Sequence, residues 1–184
     1  MVQEVAILFE NVLLRGNRST KHSADNFDAF QSNNYPDLAR IGLGITFNHD
    51  VLLRLPKPVA PFSVDYSIDS NIIVIDLFPG ISETIFRHQL ATPGIRGVVL
   101  KTFGAGNGPT CKWFIDALQD AANHGIVVVN VTQCGNGRVI PALYETGRML
   151  YDAGVVSGHD LTSEAAITKL MCLLGRYDSA STVA

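Results

Sequence analysis

From residue 71 onward, short runs of β-branched residues alternate with segments of helical periodicity. Apolar runs of about four to eight residues bounded by Gly and Pro are typical of buried strands. The pattern predicts strands at 72–77, 98–103 and 126–131, each followed by a helix. This alternation indicates an α/β fold whose parallel sheet is covered by helices on both faces, through right-handed crossovers.

Capping residues bound the predicted helices. Ser and Thr side chains can accept hydrogen bonds from the first turn, Pro is favoured at the first helical position, and Gly just past the last turn can adopt a positive φ. The predicted starts are Ser82, the turn before Trp113, Pro141 and Thr162, and the predicted ends are Leu90, Gly125, Gly154 and Gly175.

The N-terminal part is patterned differently. Residues 5–9 have the composition and length of a strand, 24–30 predict a short helical or irregular piece, and 37–41 predict one more short turn. Residues 51–66 carry three prolines and little regular periodicity, which suits an ordered connector better than a core element. We therefore place a boundary between two domains in this segment.

Composition and charge narrow the class of protein. The 184 residues are 47% hydrophobic and 17% charged, which favours a folded chain over a disordered one. The net charge of −3 comes from 14 basic and 17 acidic residues spread along the chain, so no basic patch predicts binding to nucleic acid or to an anionic membrane. No apolar run approaches the roughly 20 residues of a membrane span, and residues 5–9 lack the basic leader of a secretion signal. We expect a cytoplasmic protein that binds a small neutral or zwitterionic ligand.

Cysteine and histidine spacing predicts neither a disulfide framework nor a metal site. The three cysteines have no paired spacing, and the five histidines show no i, i+4 pairing on a helix and no carboxylate cluster between them. We expect Cys111 and Cys172 to be buried apolar fillers, and we predict no metal.

A polar segment at 15–21, with the sequence RGNRSTK, is the best candidate for chemistry. A lysine can take part in proton transfer if its pKa is lowered or if it is coupled to a carboxylate. From the residues alone, Lys21 is more simply interpreted as an exposed lysine in a basic loop with Arg15 and Arg18.

The glycine-rich segment 104–109, GAGNGP, follows a predicted strand and opens a helix, as a dinucleotide-binding turn does. The fingerprint fails because proline stands at 109 where glycine is needed, and Asn130 and Thr132 stand where the next strand should end in an acidic residue. Nucleotide binding is therefore disfavoured. A structural role for Asn107, stabilising a tight turn, stays open.

Four segments resemble, in order, the type I, cytoplasmic L-asparaginases of the asparaginase/glutaminase family, and the match covers nearly the whole chain. They are 15–21, 77–82 (LFPGIS), 101–109 (KTFGAGNGP) and 154–165 (GVVSGHDLTSEA). The resemblance implies hydrolysis of L-asparagine to L-aspartate and ammonia, with no organic cofactor or metal. It also implies that residues 1–54 are the C-terminal part of the family's N-terminal α/β domain. Residues 55–70 would then be a linker, and 71–184 the complete, smaller C-terminal domain with a Rossmann- or flavodoxin-like sheet.

The resemblance also assigns roles to individual residues. Lys21 matches the family's catalytic lysine. Asn107 matches an asparagine that reaches into the active site of a neighbouring subunit, which implies a homodimer or a dimer of dimers. In some type I enzymes an allosteric asparagine site uses residues that match Thr20, Lys101 and Cys134. Lys101 departs from that pattern, because the regulated bacterial enzymes have arginine, whose bidentate grip on a carboxylate lysine cannot reproduce. For Cys134, the simpler interpretation is a small residue after a strand.

By the same resemblance, the family's nucleophilic threonine and its catalytic Thr-Asp pair belong to sequence that would precede Met1. We therefore expect an incomplete chain that is inactive alone. One alternative is a non-catalytic module that binds asparagine or pairs with complete subunits. Another, within the family, is the ammonia-releasing subunit of an archaeal tRNA-dependent amidotransferase, for which no basic tRNA-binding surface is visible.

Overall fold

The computed structural model describes residues 2–55, 57, 61–141 and 143–184. The chain divides into two compact units, Met1–Tyr66 and Ser67–Ala184. Pro56 and Pro58, which mark the expected linker, lie outside the described residues. Among the described residues, no helix is both long enough and apolar enough to span a membrane.

The described residues of the first unit form short β-strands. They are β1 (Ala6–Phe9), β2 (Val12–Arg15), β3 (Thr20–Lys21), β4 (Phe30–Gln31), β5 (Ala39–Ile41) and β6 (Ile45–Phe47). An antiparallel sheet has the order β1-β2-β5-β6, and β3 pairs with β4 in a separate ladder. A 3-10 turn at Gly16–Arg18 joins β2 to β3. The strand predicted at 5–9 corresponds to β1.

The prediction of a turn at 37–41 is wrong, because this segment contributes β5. The Leu38 N–H donates to the Leu13 carbonyl (2.8 Å), and Leu13 is the strand partner of Ala39. Leu38 and Ala39 are consequently buried in this unit. A contact with a distant strand overrides local turn propensity here.

The second unit contains a parallel sheet. Its strands are β7 (Ile72–Asp76), β8 (Gly97–Thr102), β9 (Val127–Thr132) and β10 (Val156–Ser157), in the order β10-β9-β8-β7. The first three lie within one residue of their predicted bounds at each end. The strand β10 has only two residues, too short for a hydrophobic run to reveal it.

Helices cover both faces of this sheet, which confirms the predicted α/β class. They are α1 (Glu83–Leu90), α2 (Lys112–Asn123), α3 (Glu145–Asp152), α4 (Ser163–Arg176) and α5 (Ala180–Val183). On one face, Phe86 of α1, Phe114 of α2 and Leu150 of α3 pack in one cluster with Leu100 of β8. On the other face, Leu170 of α4 is in a second cluster, with residues of β8 and β9. Burying a side chain of this size stabilises a fold by about 1.5–3 kcal/mol.

Several predicted caps are present. The Ser82 hydroxyl accepts a hydrogen bond from Ile85 N (3.3 Å), and the Thr162 hydroxyl accepts one from Ala165 N (3.1 Å). Gly125 and Gly154 have φ of +79° and +87°. These residues end or begin helices for the reasons that the sequence indicates.

The predicted start of the third helix at Pro141 is wrong, because α3 begins at Glu145. The preceding segment is tied to other loops: Val139 N donates to the His159 carbonyl (2.9 Å), and Ile140 N donates to the Ala105 carbonyl (3.0 Å). Val139 and Ile140 therefore make backbone hydrogen bonds to distant loops and not to a helix. Ala142 lies outside the described residues.

Gly175 does not end the last helix, because α4 continues to Arg176. A side chain at this position would place its Cβ 2.6 Å from backbone atoms of Ser67. The glycine therefore permits a close approach of two backbones, and it is not a stop signal. The expectation of a buried Cys172 is also wrong: Cys172 is exposed, while Cys111 is partly buried against the core.

Candidate active site

Lys21 lies at the end of β3, opposite Phe30 of β4. Its side chain is exposed, and Nζ is 6.0 Å from the centre of the Phe30 ring. Within the described part of the chain, Lys21 forms no ion pair with a carboxylate at 4.0 Å or less. Lys21 thus presents its amine at the surface of the first unit.

The segment that leads to Lys21 is anchored by Arg15. The Arg15 guanidinium forms an ion pair with Glu4, including an Nη2–Oε1 hydrogen bond of 3.0 Å, and donates to the Val51 carbonyl at 2.9 Å. It also lies 4.3 Å from the centre of the Tyr35 ring, a distance typical of a cation–π contact. At the other end of the turn, the Ser19 hydroxyl donates to the Arg15 carbonyl (2.6 Å). The turn is therefore closed on itself and fixed to three other parts of the unit.

Glu4 and Arg15 change one another's protonation equilibria. The hydrogen bond from Arg15 lowers the pKa of the Glu4 carboxyl; burial opposes this shift, and a hydrogen bond from Leu53 N (2.7 Å) reinforces it. The hydrogen bond to Glu4 likewise raises the pKa of Arg15. The pair is consequently fully charged at neutral pH.

Gly16 and Tyr35 complete the anchoring. Gly16 N donates to the Val5 carbonyl (2.9 Å), and a Cβ at Gly16 would lie 3.1 Å from that oxygen. The Tyr35 hydroxyl donates to the Val51 carbonyl (3.0 Å). Gly16 thus allows the backbone of the RGNRSTK segment to approach that of Val5 closely. The sequence indicates only that Gly16 lies in a turn.

In the second unit, Asn107 lies in a tight loop after β8. Phe103 and Asn107 exchange two backbone hydrogen bonds, with N–O distances of 2.9 and 2.8 Å. Gly104 and Gly106 have φ of +51° and +105°, in the region that favours glycine. The loop conformation therefore explains two of the glycines of the GAGNGP segment.

Buried polar side chains hold this loop from the sheet. The Thr102 hydroxyl donates to Asn130 Oδ1 (2.6 Å), and Asn130 Nδ2 donates to the Gly106 carbonyl (3.2 Å). The Thr132 hydroxyl donates to the Gly104 carbonyl (2.6 Å). Asn130 and Thr132 stand where a dinucleotide-binding sheet would carry an acidic residue, and here they fix the loop that bears Asn107.

The Asn107 side chain is itself held. Its Oδ1 accepts a hydrogen bond from the Thr146 hydroxyl at 2.6 Å, and Thr146 lies in the first turn of α3. The sequence interpretation named Asn107 but not Thr146, because the two residues are 39 positions apart.

The remaining predicted residues are divided between the units. Thr20 precedes Lys21 on β3 in the first unit, whereas Lys101 and Cys134 lie at the carboxyl ends of β8 and β9 in the second. Lys101 Nζ forms an ion pair with Asp76 Oδ1 at 2.8 Å. Cys134 is exposed, and its N–H donates to the Thr132 hydroxyl oxygen (3.0 Å).

Cavities lie elsewhere in each unit. The first unit has one of about 760 Å³ beside β5 and β6. The second unit has one of about 470 Å³ between α1 and α2, and one of about 630 Å³ beside β10. The five predicted site residues line none of these three cavities. Among the described residues, no group of three or more His, Cys, Asp or Glu side chains could hold a metal ion.

Comparison with known families identifies the class of protein. Residues 71–184 match the Glutaminase/Asparaginase C-terminal domain, and residues 1–53 match the Asparaginase N-terminal family. The chain belongs to the asparaginase/glutaminase family.

Individual relatives are similar over nearly the whole chain. The chain is 41% identical to L-asparaginase 1 of Escherichia coli (strain K12) over 187 aligned residues. The alignment covers 99% of this chain and 53% of that protein. The chain is also 41% identical to the 60 kDa lysophospholipase of Mus musculus, covering 96% of this chain and 31% of that protein. The crystal structure of L-asparaginase I from Vibrio cholerae superposes with a TM-score of 0.91 at 42% identity, over 99% of this chain and 54% of that chain. The resemblance to type I asparaginases is thus confirmed, and the chain spans about half the length of the two bacterial asparaginases.

Proposed function

We propose that this chain forms part of an L-asparaginase-type amidohydrolase, which converts L-asparagine and water to L-aspartate and ammonia. The observation that carries the proposal is its 41% identity to E. coli L-asparaginase 1 over 99% of the chain. The anchored lysine segment supports it, because proton transfer requires a side chain held in hydrogen-bond reach of the reacting groups. In this proposal, residues 1–54 belong to the N-terminal domain, 55–70 are the linker and 71–184 are the C-terminal domain.

Lys21 is the residue we assign to proton transfer. Amides are poor electrophiles, so a hydroxyl nucleophile must lose its proton to a neighbouring base as it attacks. The exposed amine of Lys21, at the end of a turn fixed by Arg15, is suited to couple with such a nucleophile and its carboxylate. Asn107 acts on the substrate side, supplied by a neighbouring subunit of a homodimer or a dimer of dimers. The type I resemblance also favours action in the cytoplasm.

The resemblance also offers Thr20, Lys101 and Cys134 as matches to an allosteric asparagine site, which we rank below simpler structural roles for these residues. Lys101 already pairs with Asp76 at 2.8 Å. An asparagine carboxylate would have to compete with Asp76 for this ammonium, so regulation is expected only where the ligand displaces that ion pair.

The 184 residues on their own are proposed to be inactive. The described residues supply no carboxylate paired with Lys21, so in this proposal the carboxylate that couples to the lysine comes from the rest of the enzyme. The alternative candidate function is a module that binds asparagine without hydrolysing it.

Ammonia release from L-asparagine tests the proposal in two proteins. One is the 184-residue chain, and the other is a chimera in which this chain replaces the segment of E. coli L-asparaginase 1 that it matches. We expect ammonia from the chimera and none from the isolated chain. A folded chimera that gives heat of asparagine binding in calorimetry but no ammonia supports the non-catalytic module. A folded chimera that neither binds nor hydrolyses asparagine contradicts the proposed function.

A further inference from the structure

The geometry points to Thr146 as the positioning residue that orients the Asn107 amide so that Asn107 meets its ligand as a hydrogen-bond donor. This inference rests on the proposed function for the identity of the ligand. Thr146 is not itself assigned contact with the substrate. It acts through the 2.6 Å hydrogen bond from its hydroxyl to Asn107 Oδ1.

Both ends of this hydrogen bond are fixed. The backbone of Asn107 is held by its two hydrogen bonds to Phe103. Asn130 and Thr132 of β9 hold the rest of the loop through its backbone carbonyls. Thr146 lies in the first turn of α3, where a Cβ on its neighbour Gly147 would lie 2.9 Å from the Pro141 carbonyl. The helix is thus packed closely on the preceding segment, and the β-branched Thr146 side chain has few rotamers.

A primary amide has one acceptor oxygen and a donor NH₂ group. Because the Thr146 hydroxyl holds Oδ1 toward α3, the opposite end of the amide, Nδ2, is the end offered to a ligand. An NH₂ group can bind a carboxylate or a carbonyl oxygen, but it repels the ammonium of an amino acid. The inference is therefore that Asn107 contacts an oxygen of L-asparagine or L-aspartate and not the α-amino group.

Thr146 differs in this respect from the other threonines that hold the loop. Thr102 and Thr132 act on the backbone conformation through Asn130 and the Gly104 carbonyl. Thr146 acts on the side-chain amide alone. Its removal should leave the loop in place and free the amide to rotate about χ2, so that either end can face the ligand.

Side-chain amide NMR of the 184-residue protein tests this assignment. The Asn107 NH₂ resonances are compared in the unaltered protein, Thr146→Val and Thr146→Ser, with the exposed Asn136 as internal reference. The assignment predicts two well-separated proton shifts in the unaltered protein and in Thr146→Ser. It predicts that the shifts collapse toward the Asn136 values in Thr146→Val. The matched control is Thr168→Val, which removes a hydroxyl that donates to the Glu164 carbonyl (2.8 Å) on α4 and should leave the Asn107 signals unchanged.

Two results would overturn the assignment. One is an Asn107 NH₂ pair that is unchanged in folded Thr146→Val. The other is a strong nuclear Overhauser contact between the Asn107 NH₂ protons and the Thr146 methyl group in the unaltered protein, which would mean that Nδ2 and not Oδ1 faces Thr146. The second measurement needs no variant, so it decides the question even if Thr146→Val fails to fold.

Titration of the chimera with E. coli L-asparaginase 1, using L-aspartate as the ligand, separates this inference from the proposed function. If Thr146 orients Asn107 and Asn107 contacts the substrate, L-aspartate changes the chemical shifts of the Asn107 NH₂ protons in the unaltered protein and in Thr146→Ser. This change is lost in Thr146→Val. An ordered pair that L-aspartate does not shift, in protein that binds L-aspartate by calorimetry, contradicts the substrate role of Asn107 and leaves the orienting role of Thr146 standing. A pair that L-aspartate shifts equally in all three proteins contradicts the role of Thr146 and leaves that of Asn107 standing.

Discussion

The ion pair of Glu4 and Arg15 is the interaction on which the conformation of the lysine segment most depends. The Glu4 side chain is only 6% exposed and that of Arg15 is 20% exposed. A largely buried pair gives little stability compared with apolar packing, but removing one partner leaves an uncompensated charge. Arg15 also donates to the Val51 carbonyl and stacks on Tyr35. Loss of Glu4 would therefore weaken the contacts that hold the whole turn in place.

We predict that Glu4→Gln loosens residues 16–21. The glutamine keeps the size of the side chain but loses the charge-assisted hydrogen bonds, at an expected cost of about 1–3 kcal/mol. Hydrogen exchange measures the effect directly, as faster exchange of the backbone amides in this segment. The control is Glu83→Gln, which breaks an exposed i, i+4 pair with Arg87 and should leave exchange in residues 16–21 unchanged. Equal exchange rates in Glu4→Gln and the unaltered protein would contradict the anchoring role.

The stability of the first unit should also depend on pH through Glu4. Its pKa is lower in the folded protein than in the unfolded chain, chiefly because of the hydrogen bond from Arg15. A depressed carboxyl pKa contributes stability above the unfolded value of about 4.3, and this contribution is lost as pH falls through the folded pKa. Urea unfolding between neutral pH and pH 3, followed by tyrosine fluorescence, should show stability falling below about pH 5. Glu4→Gln should flatten this dependence, and an unchanged slope in that variant would exclude Glu4 as its source.

The sequence was enough to name candidate site residues that lie in recognisable segments. It was not enough to find the residues whose side chains fix those segments in place. Lys21 and Asn107 could be named because each belongs to a segment that resembles one in type I asparaginases. Their supporting residues, Glu4 and Thr146, carry no local signal, since their partners lie 11 and 39 positions away. Only the fold brings such pairs together.

The same reasoning explains which elements were predicted. The buried strands β7, β8 and β9 are continuous apolar runs, and local pattern suffices to find them. The strand β5 depends on pairing with β2, and the start of α3 depends on hydrogen bonds from Val139 and Ile140 to distant loops. Elements whose bounds are set by long-range contacts could not be read from local composition.

The close approach of α4 to the backbone of Ser67, just before β7, can be tested at Gly175. In an ordinary helix interior, Gly→Ala stabilises by about 1 kcal/mol. Here the new Cβ would lie 2.6 Å from backbone atoms of Ser67, which cannot move aside as a flexible side chain could. We therefore predict that Gly175→Ala destabilises the second unit, measured by urea unfolding with Trp113 fluorescence. Gly44→Ala is the control, because nothing lies within 4 Å of a Cβ at that position. A stabilised Gly175→Ala would contradict the close approach.

The molecule as a whole combines two units that carry different parts of the proposed chemistry. The unit Met1–Tyr66 holds Lys21 and its anchor, and the unit Ser67–Ala184 holds Asn107 in its loop on the parallel sheet. The family match extends over both. Since the chain covers 53% of E. coli L-asparaginase 1, the activity is best measured where the rest of that enzyme is present.

The central claim is that Lys21 moves a proton in asparagine hydrolysis, and kcat for ammonia release by the chimera with E. coli L-asparaginase 1 tests it most directly. The comparison is between Lys21→Met and Lys112→Met. Lys112 is a lysine with an 87% exposed side chain, paired with Asp116 on α2. We predict that Lys21→Met lowers kcat by about 10²–10⁴-fold, as expected for the loss of a general acid–base group, and that Lys112→Met leaves it unchanged. A folded Lys21→Met chimera that hydrolyses asparagine as fast as the unaltered chimera would contradict the account.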